Sequence, residues 1–258
     1  MPAHDLDLLI DAARKAGDVA RGFVGKTAQR WDKPDNAGPV TEADLAVNDL
    51  LHETLIGARP DYGWLSEETE DSTARLDRER VFIVDPIDGT RSFVEGSNTW
   101  AHSIAVAEAG VVTAAVVYLP MRDKLYAASL DGGATLNAVP IRADGEDQIA
   151  RMTVLAARPT MAVKHWRGAV SPTFQRTYRP SLAYRLALVA EGRFDGMLTL
   201  RPTWEWDIAA GTLIVTEAGG GASDRLAAPL RFNNADPRTD GVVAGSAHAH
   251  AALTSALA

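Results

Sequence analysis

Apolar residues at Leu6, Leu9, Ile10, Ala13, Ala16, Val19, Ala20 and Phe23 recur at three- and four-residue steps, which predicts an amphipathic helix from Asp5 to about Gly25. A second helix starts after Thr41, which stands three residues before Asp44 in the spacing of a capping box; Leu45, Val47, Leu50, Leu51, Leu55 and Ile56 give its buried face. Between them, residues 29–39 are polar and carry Lys33-Pro34-Asp35-Asn36 and Gly38-Pro39, the composition of an exposed loop. The run Val81-Phe82-Ile83-Val84 is apolar without alternation, as in a strand covered on both faces, and Asp85-Pro86 closes it. Residues 103–108, 111–119 and 124–130 then read as an antiparallel meander with turns at Ala109-Gly110 and Asp131-Gly132-Gly133. Further on, the pattern predicts strands at 152–156, 194–200 and 242–244 and helices at 182–190 and 247–257. Another helix opens at Asp207 as N-cap, with small residues Ala209, Ala210 and Gly211 and a glycine stop after Ala218. Residues 145–180 are rich in Pro and Arg and show no period, which puts a boundary there between an N-terminal α+β lobe (1–145) and a C-terminal α/β lobe (146–258), packed as one functional unit.

The totals narrow the classes of function. In 258 residues, 46% hydrophobic content suffices for a full core. A formal charge of −8 argues against a nucleic-acid polymer or an anionic membrane as partner, since both ask for a basic face. With no cysteine, disulfides, thiolate metal sites and cysteine nucleophiles are excluded. The first residues lack the basic-then-apolar order of a signal peptide, and no apolar run reaches membrane-spanning length, so the expectation is a soluble cytoplasmic protein.

Chemistry concentrates in three stretches. Asp85-Pro86-Ile87-Asp88-Gly89-Thr90-Arg91 crowds two carboxylates at a strand end; at ~4 Å they would repel by roughly 4 kcal/mol at an effective dielectric of about 20, which raises a pKa or calls for a cation. Gly89 would let backbone N–H groups approach an anion, and Thr90 adds a hydroxyl. The same residues are also ordinary turn formers. In Trp64-Leu65-Ser66-Glu67-Glu68-Thr69-Glu70-Asp71, Glu67 ends the apolar lead and is the acid placed to point inward, whereas the later acids read as a solvated face. Trp204-Glu205-Trp206-Asp207 supplies a third carboxylate, although Asp207 as a helix cap, like Asp44 in the first turn of its helix, needs no further role. Trp100 and His102 follow the first stretch closely; a lone histidine at a strand start is ordinarily structural.

Taken in order, Glu67-Glu68, Asp85-Pro86-Ile87-Asp88-Gly89-Thr90, Trp206-Asp207-Ile208-Ala209-Ala210-Gly211 and Glu217-Ala218-Gly219-Gly220 resemble the inositol monophosphatase superfamily of metal-dependent, lithium-sensitive phosphomonoesterases, over nearly the whole chain. The resemblance implies an α+β fold, a layered αβαβα sandwich, in a homodimer. It implies one Mg²⁺ on Glu67, Asp85 and the Ile87 carbonyl, a second between Asp85, Asp88 and Asp207, and a weaker third near Glu67. Catalytic roles fall to Glu67, Asp44 and Thr90, the Thr90 hydroxyl bonding the acid of the Thr41-x-x-Asp44 motif; substrate contacts fall to Gly89, Thr90, Lys33 (eleven positions before Asp44), Arg91, Ser181, Arg201 and Glu205. The substrate is a small phosphorylated metabolite. In inositol-cleaving members an acid stands seven positions before the aspartate of the Trp-Asp pair, where this chain has Leu200. Pro202-Thr203-Trp204-Glu205-Trp206-Asp207 is instead similar to a stretch of bacterial 3′(2′),5′-bisphosphate nucleotidases, so adenosine 3′,5′-bisphosphate is the expected substrate, its second phosphate met by Arg201 or Arg185. Inositol 1-phosphate and, from the Asp-Gly-Thr-Arg sequence, histidinol phosphate are the enzymatic alternatives; a retired homologue that only binds a phosphorylated ligand is the non-enzymatic one.

Overall fold

The computed structural model describes residues 2–24, 29–32 and 39–258. Helix α1 (Pro2–Phe23) leads to a short antiparallel pair, β1 (Arg30–Asp32) with β2 (Pro39–Thr41), and then to α2 (Glu42–Ala58). Part of the expected loop is thus paired, while Lys33 and the helix stop at Gly25 lie outside the described residues. The next strands are β3 (Gly63–Ser66), β4 (Arg80–Asp88), β5 (Ala101–Glu108), β6 (Val111–Leu119), β7 (Lys124–Ser129), β8 (Gly133–Leu136) and β9 (Val139–Pro140), with the short helix α3 (Thr90–Val94) between β4 and β5. In that order they form a seven-stranded sheet, antiparallel except at β3–β4.

A second sheet has the order β11 (Gln175–Thr177), β10 (Thr153–Ala156), β12 (Gly196–Thr199), β16 (Val242–Ser246), β14 (Gly220–Ser223). The two-residue strands β13 (Thr203–Trp204) and β15 (Arg238–Thr239) pair apart from it. Helices α4 (Leu182–Ala190) and α5 (Glu205–Glu217) precede β12 and β14, and α6 (Ala247–Ala256) ends the chain. No helix among the described residues is long and apolar enough to cross a membrane.

Side-chain alternation shows how these pieces stack. In β4, Phe82 and Val84 join Leu9, Ala13, Val47 and Leu51 of α1 and α2, whereas Val81 and Ile83 join Leu186, Ala187, Ala210 and Ile214 of α4 and α5. In the second sheet, Leu155, Met197 and Val242 face that same α4–α5 layer, and Val154, Leu198 and Val243 turn to Ala249 and Leu253 of α6. Period-two strands buried on both faces therefore give five layers, αβαβα, as the superfamily resemblance implied. The middle layer is tight because Gly211 leaves room for Leu186: a Cβ there would lie 2.5 Å from the Leu186 Cβ.

Local expectations changed in three places. In α2, Ala43, Val47, Leu51 and Leu55 form the buried row at four-residue steps, while Leu45 is exposed. Strand β4 does not stop at Asp85 but continues to Asp88 through an irregularity in its pairing with β5. Asp207 is not an N-cap: Trp204 holds that position and Asp207 sits in the first turn of α5.

Candidate active site

The irregularity in β4 decides where the carboxylates point. Asp85 pairs with Ser103 and Asp88 with Ala101, so Pro86 and Ile87 stand opposite the single residue His102. Two residues against one is a β-bulge. Residues three apart on a regular strand face opposite sides; the extra residue restores the parity, so Asp85 and Asp88 both face the α4–α5 layer, and Ile87 between them joins the α1–α2 side.

Each acid is received differently. Carboxylate oxygens of Glu67, Asp85 and Asp207 come within 4.8 Å of one another, although these residues arrive from β3's end, β4 and α5. Asp85 is buried and its Oδ1 has no hydrogen-bond partner. Asp88 Oδ2 accepts from Ser181 Oγ and from the Ala183 backbone N–H, both at 2.6 Å, at the start of α4. The Ser103 hydroxyl donates to the Trp206 carbonyl at 2.8 Å and so ties α5, one residue before Asp207, to the strand position opposite Asp85.

Burial raises the Asp85 carboxyl well above the usual range, with repulsion from Glu67, Asp88, Asp207 and Glu68 adding to it. Burial likewise raises Asp207, followed by repulsion from Asp88 and Glu67, against which Arg201 and Arg185 act. Asp88 is pushed up to about 6, burial outweighing the bonds from Ser181 and Ala183. An all-oxygen, mutually repelling set with an orphaned buried acceptor fits a hard divalent cation such as Mg²⁺.

Beside this cluster, Thr90 Oγ1 donates to Asp44 Oδ1 at 3.1 Å, shared with the Ile87 carbonyl at 3.2 Å. Asp44 Oδ2 accepts from the Thr41 backbone N–H at 2.8 Å and from Thr41 Oγ1 at 2.5 Å. Asp44 therefore both completes the capping box of the N-cap Thr41 and partners Thr90, and burial raises its carboxyl despite these bonds. Gly89, at φ 99°, has a backbone conformation that side chains rarely tolerate, and a Cβ there would meet Ser181 and Trp100 at 3.4–3.5 Å.

Two of the expected substrate contacts, Glu205 and Ser181, are engaged inside the protein. Glu205 is fully buried, its oxygens taken by Asn233 N (2.6 Å), Asn234 N (2.9 Å) and Asn234 Nδ2 (2.7 Å), so it offers substrate no surface. Ser181 is fully buried too and serves Asp88 and the cap of α4. Arg91 and Arg201 are exposed, Leu200 is buried, and Arg185 is buried at the start of α4, donating to the carbonyls of Arg179 and Pro180 beneath the Tyr178 ring, 4.4 Å away. His102, fully buried, contacts the Pro86 carbonyl through Nδ1, and burial lowers its pKa to about 4. Sequence reasoning missed Ser103 and this part played by His102. Two acids three apart on one strand were a readable signal that a bulge must lie between them if they share a site.

The protein-family model described as inositol monophosphatase family matches residues 2–258. An inositol-1-monophosphatase of Rhizobium meliloti (strain 1021) is 34% identical over 230 residues, 85% of each chain. The Nus factor SuhB of Escherichia coli (strain K12) is 32% identical over 231 residues, covering 85% of this chain and 84% of its own. Among solved structures, the extragenic suppressor protein suhB from Bartonella henselae superposes with a TM-score of 0.83 at 29% identity, covering 98% of this chain and 97% of its own. A Thermotoga maritima IMPase gives a TM-score of 0.81 at 26% identity, with 98% and 96% covered.

Proposed function

Because the chain belongs to the inositol monophosphatase family, we propose that it is a Mg²⁺-dependent phosphomonoesterase whose leading substrate is inositol 1-phosphate. The observation that carries the phosphatase reading is the convergence of Glu67, Asp85 and Asp207 around an unsatisfied buried carboxylate oxygen. The substrate comes from the similarity to the Rhizobium meliloti inositol-1-monophosphatase, which replaces the nucleotide expected from the sequence around Trp206. The same reading takes in two Mg²⁺ per subunit with a weaker third, lithium sensitivity, and a cytoplasmic homodimer.

Glu67, Asp85, Asp207, the Ile87 carbonyl and the free edge of Asp88 would hold the metal. When bound, Mg²⁺ supplies charge neutralisation at the phosphate and lowers the pKa of the attacking water. The chain's own part centres on Thr90. With its proton committed to Asp44 and the Ile87 carbonyl, Thr90 Oγ1 has lone pairs left to accept a proton from water as its own passes to Asp44. Burial makes Asp44 a stronger base than an ordinary carboxylate, and Thr41 holds it in place. The strain-free glycine at position 89 lets the backbone at the start of α3 approach phosphate oxygens.

Two features favour a second reading, adenosine 3′,5′-bisphosphate. Arg185 and Arg201 both act electrostatically on Asp207, and apolar Leu200 stands where inositol-cleaving members carry an acid. Substitution of exposed Arg201 separates the two. Under the inositol reading, wild-type kcat/KM with Mg²⁺ is highest for inositol 1-phosphate, and Arg201→Ala changes it by less than about threefold. Under the nucleotide reading, adenosine 3′,5′-bisphosphate leads and Arg201→Ala costs it about 10–100-fold, the worth of one charge-assisted hydrogen bond. No turnover of inositol 1-phosphate, the nucleotide or histidinol phosphate would overturn the phosphatase reading and favour a ligand-binding homologue.

The raised carboxyls also set a pH dependence. Asp88, at about 6 against an ordinary 3.8, binds an extra proton in the metal-free fold across that window, so its contribution to stability falls as pH rises through it. Mg²⁺ requires the deprotonated acids and competes with those protons. The Mg²⁺-induced rise in Tm is therefore expected to be small near about pH 5 and to grow through about pH 6. At 100 times Kd it reaches about 2.7 kcal/mol, or about 5–10 °C. A rise that is flat with pH, measured by differential scanning fluorimetry against an EDTA control, would show that these acids do not hold the ion.

A further inference from the structure

The bulge that turns Asp85 and Asp88 to one side needs something to hold it. A bulge interrupts the ladder locally and leaves an extra residue whose backbone groups must find partners elsewhere. Here the bulged residues are Pro86, which has no N–H, and Ile87, whose carbonyl accepts from Thr90. The Pro86 carbonyl is met by Nδ1 of His102, the residue that stands opposite the bulge on β5. A carbonyl can only accept, so His102 carries a proton on Nδ1.

The other end of the ring supports the same assignment. His102 is fully buried between Trp100, with ring centroids 5.6 Å apart, and Tyr118, at 6.3 Å, on the α1–α2 side of the sheet. Its Nε2 has no hydrogen-bond partner. A buried polar atom left unsatisfied is a cost that an apolar side chain would avoid. What an apolar side chain lacks is the donor for Pro86. The histidine faces away from the carboxylates, since its neighbours Ser103 and Ala101 face the α4–α5 layer, so its reach into the site runs through the backbone alone.

We propose that His102 is a positioning residue for the metal site: its Nδ1–H clamps the Pro86 carbonyl and so sets the directions of Asp85, the Ile87 carbonyl and Asp88. The inference rests on the reading of those three groups as Mg²⁺ ligands. Asparagine places an amide N–H near the Nδ1 position of histidine, glutamine moves it out to the Nε2 position, and leucine has no donor.

The test compares wild type with His102→Asn, His102→Gln and His102→Leu, measuring Mg²⁺ affinity by calorimetry, fold by circular dichroism in EDTA, and kcat and KM separately on the best wild-type substrate. His102→Leu and His102→Gln are expected to weaken Mg²⁺ binding about 10–100-fold, the usual effect of losing a group that orients metal ligands. Their kcat falls while KM stays within about twofold, and His102→Asn stays within about threefold of wild type in each measure. A folded His102→Leu with wild-type Mg²⁺ affinity overturns the inference. If His102→Leu does not fold, equal affinities in His102→Asn and His102→Gln overturn it. Wild-type protein that binds no Mg²⁺ overturns the metal reading and this inference together, whereas wild-type binding with unchanged variants overturns this inference alone.

Discussion

Asp85→Asn is expected to abolish Mg²⁺ uptake and to lower turnover by about 10³-fold or more, while the metal-free protein stays folded and gains stability. The activity loss follows from position: Asp85 brings a carboxylate oxygen within 4.8 Å of those of Glu67 and Asp207, and its Oδ1 is buried with no partner in the protein. Charge neutralisation by the metal is worth several kcal/mol in the transition state, and each decade of rate is about 1.4 kcal/mol. The stability gain follows from the same geometry. Without metal, the Asp85 charge is buried and opposed by Glu67, Asp88 and Asp207, whereas an amide of the same shape removes the repulsion and can donate to the neighbouring acids. About 1–3 kcal/mol is expected, or a rise in Tm of about 2–4 °C for each kcal/mol. Thermal melts in EDTA and in Mg²⁺ check both halves. Near-normal turnover, or a Mg²⁺-induced shift equal to that of the parent, would remove Asp85 from the site.

For Glu205→Ala the expected result is a fall of about 3 kcal/mol in stability, or about 6–12 °C in Tm, with kcat reduced. The carboxylate is the acceptor for two backbone N–H groups and one side-chain amide from Asn233 and Asn234. Asn233 and Asn234 are in turn held by Arg75, whose guanidinium is buried and bidentate to Asp71. Removing Glu205 strands these donors and loosens the first turn of α5, where Asp207 sits two residues on. Glu205→Gln, which keeps one accepting oxygen, should lose less. A substrate contact would behave oppositely, raising KM at constant Tm, and that outcome would restore the role first expected for Glu205.

The difference between Glu205 and Asp207 shows where local sequence stops being informative. Both acids lie in the first turn of one helix, and nothing within the stretch 204–211 tells which meets a metal and which meets a loop. That depends on what arrives from 28–29 residues downstream in one case and from β3 and β4 in the other. Ser181 is similar. As the residue before an apolar helical run it was readable as an N-cap, but its bond to Asp88, 93 residues away, belongs to the packing of α4 on β4.

What the sequence determined by itself was periodic and short-range: the helical faces of α1, the doubly buried strand β4, the capping box at Thr41 and Asp44, and the set of acids in motif order. These are legible because 3.6- and 2-residue periods and capping preferences act between near neighbours. Only the tertiary structure decided the direction of each carboxylate. On a strand that direction is a matter of parity, and one extra residue opposite His102 reverses it. The group an acid finally meets is set by elements that the chain brings together from far apart, where no local period reaches.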